Sequence, residues 1–361
     1  MRILFIAPLP PPVAGHSLIS RVLLDDLARD CEMAVVDFNK DSFTDGANSF
    51  KRYAEVLGIL WQVWKRKKGA ARIYLTISES FLGNVKDLVI YLLCLGKLSE
   101  FYIHLHGGSI KRLLWDHHPL LFKINRLFVR RLAGAIVSGR SHLPIFEGVL
   151  SQERVHIVPN CAQEYLFATE AEISEKFSCT EPLRILYISN FIIKKGYNDL
   201  LDAFLGLDDV LKQRVRIDFA GRFDSASQEK VFLDKIRGIE QLHYHGIVHD
   251  SEKRRLFVGA HAFCLPTALY EGQPISILEA YAAGCVVVTT GQRGILDVFT
   301  DGIHGFEIEA TSPMSIAAVV RRMVKRRERM AEMALSNHRI AREKYRTASY
   351  AAAVRQILLS R

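Results

Sequence analysis

The sequence predicts an α/β protein with two doubly wound parallel sheets, and three observations lead to this fold class. The chain has 361 residues, more than one hydrophobic core usually organises, so we expect about two domains. Short apolar runs that end at glycine or polar residues alternate with helical periodicity, as is typical of parallel sheets covered by helices. The same alternation restarts at Leu183, after a polar stretch that ends in proline.

Composition and charge set the class of protein. The hydrophobic fraction of 49% and the charged fraction of 24% are those of a globular chain. The opening "MRILFIAPLP" passes from an apolar strand into prolines, so we expect no secretion. The longest apolar run, Leu88–Gly96, is far shorter than the ~20 residues of a membrane-spanning helix. The six cysteines form no CxxC pair, which favours reduced thiols and a cytoplasmic location.

Strand and helix patterns place the domain boundaries. The strand patterns of the first half are "RILFIAP", "MAVVDF", "RIYLTIS", "EFYIHLHG", "GAIVSG" and "VHIVPN". Those of the second half are "LRILYISN", "VRIDFAG", "LHYHGIV", "AFCLPT" and "CVVVTT". We therefore predict a first domain over 1–170, a linker over 171–182, a second domain over 183–345 and a C-terminal helix over 346–361.

Ligands of open α/β sheets bind beyond the carboxyl ends of the strands, so candidate site residues are sought there. No GxGxxG follows the first strand, which argues against a dinucleotide oxidoreductase. In "YEGQPISILEAYAAGC", Pro274 and Gly284 bound a short helix. The unpaired amides after Gly272 and the positive helix terminus predict an anion site over Gly272, Gln273, Pro274 and Ile275.

Two glutamates flank this predicted anion site. Glu271 lies in the loop before the helix, and Glu279 lies inside it, roughly 7 Å further along the axis at ~1.5 Å per residue. That separation is similar to the distance from a hexose to a ribose across a pyrophosphate. The spacing alone also fits a glutamate that complements the helix dipole and a second one that is simply solvated.

The glutamate pair, with "EGQP" between strand and helix, resembles the EX7E motif of retaining GT-B glycosyltransferases of family 4. Further similar segments follow in the family's order, namely "APLPPPVAGHS", "IVPNCAQEYLF", "SNFIIKKGYNDLLDAF", "FAGRF", "YHGIV" and "GILDVFTDGIHGF". The resemblance implies two Rossmann-like domains facing each other across a cleft, with the C-terminal helix returning to the first domain. It also implies transfer of a hexose-type sugar from a nucleotide-diphosphate sugar with retention. No DxD is present, so we expect no metal and no other cofactor.

The resemblance also implies site residues. Lys195 matches the lysine before glycine that grips the donor diphosphate, whereas Asn190 stands where the family usually has arginine. His106 matches a strand-end histidine that contacts the transferred sugar or positions the acceptor, and His104 is expected to be satisfied by backbone. The expected catalytic residues are His106, Glu271 and Lys195, and the expected donor-binding residues are Gly15, Asn190, Gly221, Ile247, Gly272, Gln273, Pro274, Ile275 and Glu279.

The chain has a formal charge of +9, and two clusters of basic residues lie in its first half. Basic residues there interleave with tryptophan and leucine, as in Trp61–Lys68 and Lys111–Arg131. Two interpretations remain open: interfacial helices that contact an anionic membrane, or ordinary helices with basic solvent faces. No recognition motif accompanies the clusters, which argues against nucleic acid.

The family's first domain holds the acceptor, so a glycan or lipid-linked glycan of bacterial surface polysaccharide is expected. A catalytically silent GT-B module that scaffolds a synthesis complex remains an alternative, as does a nucleotide-sugar epimerase. Both alternatives keep the predicted fold and differ from the main prediction only in their chemistry.

Overall fold

The computed structural model describes residues 1–11, 15–38, 49–178 and 182–360. Residues 12–14 of the predicted glycine loop, 179–181 of the predicted linker and Arg361 lie outside the described residues. The chain divides into two compact units, and each is described by itself. Unit 1 consists of Met1–Asn160, Glu271–Gln273 and Thr347–Arg361; unit 2 consists of Cys161–Tyr270 and Pro274–Arg346.

Unit 1 contains a six-stranded parallel sheet of order β2-β1-β3-β4-β5-β6. Its strands are β1 (Arg2–Ala7), β2 (Glu32–Asp37), β3 (Arg72–Thr76), β4 (Phe101–Leu105), β5 (Gly134–Val137) and β6 (Val155–Ile157). Its helices up to the end of this sheet are α1 (Gly15–Leu27), α2 (Ser49–Arg66), α3 (Phe81–Leu93), α4 (Pro119–Val129) and α5 (Leu143–Phe146). Every residue of β4 is buried, as expected for a central strand covered on both faces.

Unit 2 contains a second six-stranded parallel sheet, of order β12-β11-β10-β7-β8-β9. Its strands are β7 (Leu183–Ile188), β8 (Val215–Ala220), β9 (Leu242–Tyr244), β10 (Ala262–Leu265), β11 (Val286–Thr290) and β12 (Gly305–Ile308). Its helices are α6 (Glu170–Ser178), α7 (Tyr197–Leu205), α8 (Asp209–Gln213), α9 (Ala226–Ile236), α10 (Asp250–Gly259), α11 (Ile275–Ala282), α12 (Arg293–Leu296), α13 (Pro313–Lys325) and α14 (Arg327–Lys344). The two sheets confirm the predicted fold class of two doubly wound α/β domains.

The segment predicted as a linker contains a helix. Helix α6 covers most of 171–182, and unit 2 begins at Cys161 rather than after residue 170. Ile173 of this helix is 1% exposed, and Lys176 Nζ donates to the carbonyls of Ala260 and Ala283, each at 2.9 Å. These carbonyls belong to the residues that cap α10 and α11. The lysine therefore fixes α6 by hydrogen bonds that an apolar period does not reveal.

The last helix, α15 (Thr347–Leu359), groups with unit 1 and contacts α1. Arg355 Nη1 donates to Asp26 Oδ2 at 3.0 Å and to the Asp26 carbonyl at 3.2 Å. Arg72 Nε donates to the Leu358 carbonyl at 3.0 Å. Hydrogen bonds from two arginines thus hold the C-terminal half of α15 in place within unit 1.

Candidate functional site

Lys195 lies at the carboxyl edge of the sheet of unit 2, at the end of a 3-10 turn (Ile193–Lys195) that follows β7. The next residue, Gly196, has φ of 81°, and a Cβ there would overlap the Pro266 carbonyl. Ala268 N donates to the Lys194 carbonyl at 2.7 Å. The loops after the neighbouring strands β7 and β10 are therefore bonded together, and this fixes the backbone that carries Lys195.

Gly221, Asn190 and Ile247 lie at the same edge of this sheet. Gly221 N donates to the Gly246 carbonyl at 2.7 Å, which joins the loops after β8 and β9. Gly221 has φ of 139°, and a Cβ there would overlap the Ser189 carbonyl. The Ile247 side chain is 56% exposed, and Asn190 is also exposed. The carboxyl edge of this sheet thus exposes the apolar Ile247 and the polar Asn190 on loops, and hydrogen bonds join the loops after β8 and β9.

The helix that follows "YEGQ" is α11, which begins at Ile275 with Pro274 as its N-cap and no side chain capping its amides. Glu279 is its fifth residue and is 3% exposed, so it is not a solvated helix residue. Its Oε1 lies 2.6 Å from Lys253 Nζ, in an ion pair whose side chains are 4% and 14% exposed. The carboxylate inside this helix is therefore held by a buried cation.

Lys253 is a site residue that sequence reasoning missed. It lies on α10, one turn before the buried Phe257, on the face that also buries Leu256. Its Nζ lies 5.8 Å from the centroid of the Phe257 ring. The sequence did contain a signal for this role, namely a lysine on the apolar face of a helix. A lysine buried there needs a carboxylate partner. Sequence alone does not say which carboxylate that partner is.

His104 lies in β4 and His106 directly follows this strand, and both residues belong to unit 1. His104 is fully buried, and its Nδ1 lies 2.7 Å from the Tyr74 hydroxyl. The His106 ring lies 4.0 Å from the His104 ring, centroid to centroid. Burial, and then the charge of His16, lowers the pKa of His106 to about 3, with the Asn160 amide opposing the shift. His106 is therefore a neutral imidazole near pH 7, able to accept or donate a hydrogen bond.

Glu79 follows β3 and was also missed. Its Oε1 accepts from the backbone amides of Ser109 and Ile110 at 2.6 and 2.8 Å, which fixes the loop directly after His106. Burial raises the pKa of Glu79, and the two amide hydrogen bonds oppose that rise. A Cβ at Gly107 would overlap this carboxylate, so a larger residue there would displace the Glu79 side chain. The signal was a carboxylate just beyond a strand end.

Glu271, Gly272 and Gln273 group with unit 1. Gln273 is 5% exposed; its Oε1 accepts from Asn160 N at 2.6 Å, and its Nε2 donates to the Ser138 carbonyl at 2.9 Å. The Gln273 amide therefore has protein partners, and its contact with a donor stays a prediction. Glu271 is half-buried, and Gly15 begins α1.

The described part of the chain also bears on metal binding and on membrane insertion. No group of three or more His, Cys, Asp or Glu there is arranged to hold a metal ion. No described helix is long and apolar enough to cross a membrane.

A family model and a curated relative each match part of the chain. The family model of glycosyl transferases group 1 matches residues 169–339. A curated relative, the amylovoran biosynthesis glycosyltransferase AmsK of Erwinia amylovora, is 26% identical over 238 residues. That match covers 60% of this chain and 53% of AmsK, so the chain spans about half the length of the curated relative it matches.

Solved structures resemble the whole chain. Anabaena HepE in complex with UDP has a TM-score of 0.76 at 15% identity, over 99% of both chains. WaaG, a glycosyltransferase involved in lipopolysaccharide biosynthesis, has a TM-score of 0.70 at 14% identity, over 99% of this chain and 100% of that one. These likenesses show a GT-B-like fold, and the match to the group 1 glycosyltransferase model is confined to residues 169–339.

Proposed function

We propose that this chain, whose residues 169–339 match the group 1 glycosyltransferases, transfers a hexose-type sugar from a nucleotide-diphosphate sugar to a hydroxyl of a glycan or lipid-linked glycan. One observation supports the proposal. Lys195 and the uncapped terminus of α11 follow the carboxyl ends of two neighbouring strands of unit 2, β7 and β10, and α11 carries the buried Glu279. Solved structures of HepE contain UDP and UDP-glucose, so UDP-sugars are the first donors to test.

The donor diphosphate is anionic, and two groups of unit 2 suit it. Lys195 supplies a point charge, and the first amides of α11 supply donors at the positive end of a helix. Both would stabilise the charge that grows on the departing phosphate. These groups would supply the charge stabilisation that a divalent metal provides in other enzymes. We therefore propose that transfer proceeds without a metal. Full activity in excess EDTA is the expected result.

Glu279 would bind the ribose hydroxyls of the donor. Lys253 holds one of its oxygens, which leaves the other carboxylate oxygen as an acceptor. The lysine also balances the charge of Glu279, because an unpaired carboxylate near a diphosphate would repel it. Glu271, in the loop before the helix, would then face the transferred sugar.

The transfer we propose retains the configuration at the sugar C1. The bond from C1 to the diphosphate oxygen breaks, a bond from C1 to the acceptor oxygen forms on the same face, and the hydroxyl proton passes to the departing phosphate. His106 would contribute as a neutral hydrogen-bonding group on unit 1, since its lowered pKa excludes the imidazolium near pH 7. Its role is to position the sugar or the acceptor hydroxyl.

A lipid-linked acceptor would lie at a membrane surface, and unit 1 has a face that suits one. Helices α2, α3 and α4 are neighbours, and each exposes large apolar side chains. Among the side chains that the structure describes, the large apolar ones exposed on α2 and α3 are Tyr53, Leu57, Trp61, Trp64, Phe81, Leu82, Val85 and Leu92. Exposed cations accompany them on α2 and α4, and each is worth about 1 kcal/mol near anionic lipid. We therefore propose peripheral attachment to the inner face of the cell membrane.

The function is tested with labelled UDP-, GDP- and ADP-hexoses and a lipid extract as acceptor. Labelled glycolipid, with release of one nucleoside diphosphate per transfer and a retained anomeric configuration by NMR, is the expected result. Binding of a sugar nucleotide without transfer or hydrolysis would favour the silent scaffold, which the Asn190 substitution suggests. Conversion of the sugar nucleotide without any acceptor would favour the epimerase.

The membrane contact is tested separately by co-sedimentation with vesicles. The wild type should sediment with phosphatidylglycerol vesicles and much less with phosphatidylcholine ones. A Trp61→Ser/Trp64→Ser variant should lose most of this binding, since both indoles are more than half exposed. Equal binding by the variant would contradict the proposed surface.

A further inference from the structure

One face of the second sheet is polar near its β9 edge. In β8, Ile217 and Phe219 are buried with the aromatic core, whereas Arg216 and Asp218 point to the other face. Asp218 pairs in register with His243 of β9, and its Oδ1 lies 2.7 Å from His245 Nε2. Parallel sheets are usually apolar on both faces because helices cover them. This polar stretch is therefore a departure that needs an explanation.

A cavity of about 640 Å³ lies over this polar stretch. Its polar and charged lining residues come from β7, β8 and α10: Arg184, Arg216, Asp218, Ser251, Arg254 and Arg255. Pockets for small ligands commonly measure about 300–1,000 Å³, so the cavity is large enough for one.

The cavity is separate from the donor site described above. Arg184 and Arg216 are neighbours in register and are the second residues of their strands. They therefore lie at the amino end of the sheet, whereas Lys195 and Gly221 follow the carboxyl ends of the same strands.

Positive charge exceeds negative charge in this lining, because four arginines face a single aspartate. Arg216 Nη2 lies 3.3 Å from Asp218 Oδ1, and Arg254 Nη2 lies 2.9 Å from Glu172 Oε1. The Arg184 side chain is exposed and makes no hydrogen bond or ion pair with another described residue. Arg216 Nε is buried without a hydrogen-bond partner among the described atoms. The cavity thus contains donors that its own acceptors do not satisfy.

We propose that this cavity binds a small phosphate-bearing anion, of the phosphate monoester class. Guanidinium groups bind phosphate oxygens through paired hydrogen bonds, and several converge here on one concave surface. Ser251 adds a hydroxyl, and the remaining volume accommodates the organic part of the ester. The proposal does not depend on the proposed transferase activity, because it concerns binding at the opposite edge of the sheet.

The test is calorimetric titration of the full chain with ribose 5-phosphate, with free ribose as the uncharged control. The Arg184→Gln/Arg255→Gln variant should raise the Kd for ribose 5-phosphate at least tenfold. Both side chains are exposed, so this variant should fold, and an unchanged unfolding midpoint checks that. Arg321→Gln removes an exposed arginine elsewhere in unit 2 and should leave the Kd unchanged.

A second variant separates the two anion sites. Lys195→Ala should leave the Kd for ribose 5-phosphate within twofold of the wild type. The proposal is overturned if the wild type shows no binding of ribose 5-phosphate at 10 mM ligand, about the weakest measurable Kd. It is also overturned if Arg321→Gln weakens binding as much as the Arg184→Gln/Arg255→Gln variant does, or if only Lys195→Ala weakens binding. Arg184→Lys keeps the positive charge but loses the paired N–H donors of the guanidinium, so it should weaken binding less than Arg184→Gln does.

Discussion

Replacing Lys253 with methionine would leave Glu279 as an uncompensated buried carboxylate. The 2.6 Å separation of Lys253 Nζ and Glu279 Oε1 corresponds to a gross attraction of about 6 kcal/mol at an effective dielectric of about 20. That attraction offsets the desolvation of two nearly buried charges. Removing one partner of such a pair typically costs about 3–5 kcal/mol, and we expect Lys253→Met to fall in this range.

Thermal unfolding measures this cost. For a unit of this size, 1 kcal/mol shifts the unfolding midpoint by about 2–4 °C, so Lys253→Met should lower the midpoint of unit 2 by roughly 6–20 °C. Lys212→Met is the matched control. Lys212 forms an i,i+3 pair with Asp209, which is 98% exposed, and losing such a surface pair should cost less than about 1 kcal/mol. Adding Glu279→Gln to Lys253→Met should recover part of the lost stability, because the charge is then gone.

Two results would refute this reasoning. Equal destabilisation by Lys253→Met and Lys212→Met would show that burial of the pair carries no energetic weight. A double variant less stable than Lys253→Met would show that the carboxylate of Glu279 is not the source of the cost. Binding of free nucleoside diphosphate gives an independent readout, since Glu279→Gln should weaken it. If only sugar selectivity changed, the roles assigned to Glu271 and Glu279 would be reversed.

Three further predictions concern single residues. Lys195→Ala should weaken binding of a UDP-sugar by tenfold or more, since a charge-assisted contact is worth about 1.5–3 kcal/mol, and unchanged kinetics would reject its placement at the diphosphate. Glu79→Ala should lower kcat more than it changes the donor Kd, because it frees the loop after His106 while leaving unit 2 intact; an unchanged kcat would contradict a positioning role. His106 remains neutral in the folded state down to a pKa of about 3 but protonates below about pH 6.5 when unfolded, so its contribution to stability is lost as pH falls from about 6.5 towards 3. Between pH 7 and pH 5 the wild type should therefore lose about 2 kcal/mol more than His106→Asn in urea unfolding, and parallel losses would contradict the lowered pKa.

The fold was predictable because periodicity is local. Each strand from β7 to β11 is visible in the sequence as a short apolar run, and a parallel sheet buries such runs on both faces. Lys195 was predictable for a similar reason, since its turn and Gly196 are adjacent in sequence. Helix α6 was not, because its attachment depends on Lys176 and two carbonyls more than 80 residues away.

The parts of the site that sequence reasoning missed are pairings between distant residues. Lys253 and Glu279 are 26 residues apart, and Glu79 is 30 residues from Ser109. The sequence around each of these residues does not identify its partner, because the two become neighbours only when the chain folds. Gln273 shows the converse: a residue beside a motif proves to be bonded to Asn160 and Ser138.

A buried ion pair is weak evidence for stability, and this allows the function of the Lys253–Glu279 pair to be separated from its structural effect. Replacing both residues by apolar ones, as in Lys253→Met/Glu279→Leu, removes two desolvated charges at once. Such replacements are often neutral or stabilising by about 1–4 kcal/mol, so this variant should unfold at or above the wild-type midpoint. It should nevertheless bind nucleoside diphosphate at least tenfold more weakly, because no acceptor for the ribose hydroxyls remains. Stability and binding would then move in opposite directions, which a purely structural pair cannot produce; a stable variant with wild-type nucleotide affinity would show that the pair serves the fold alone.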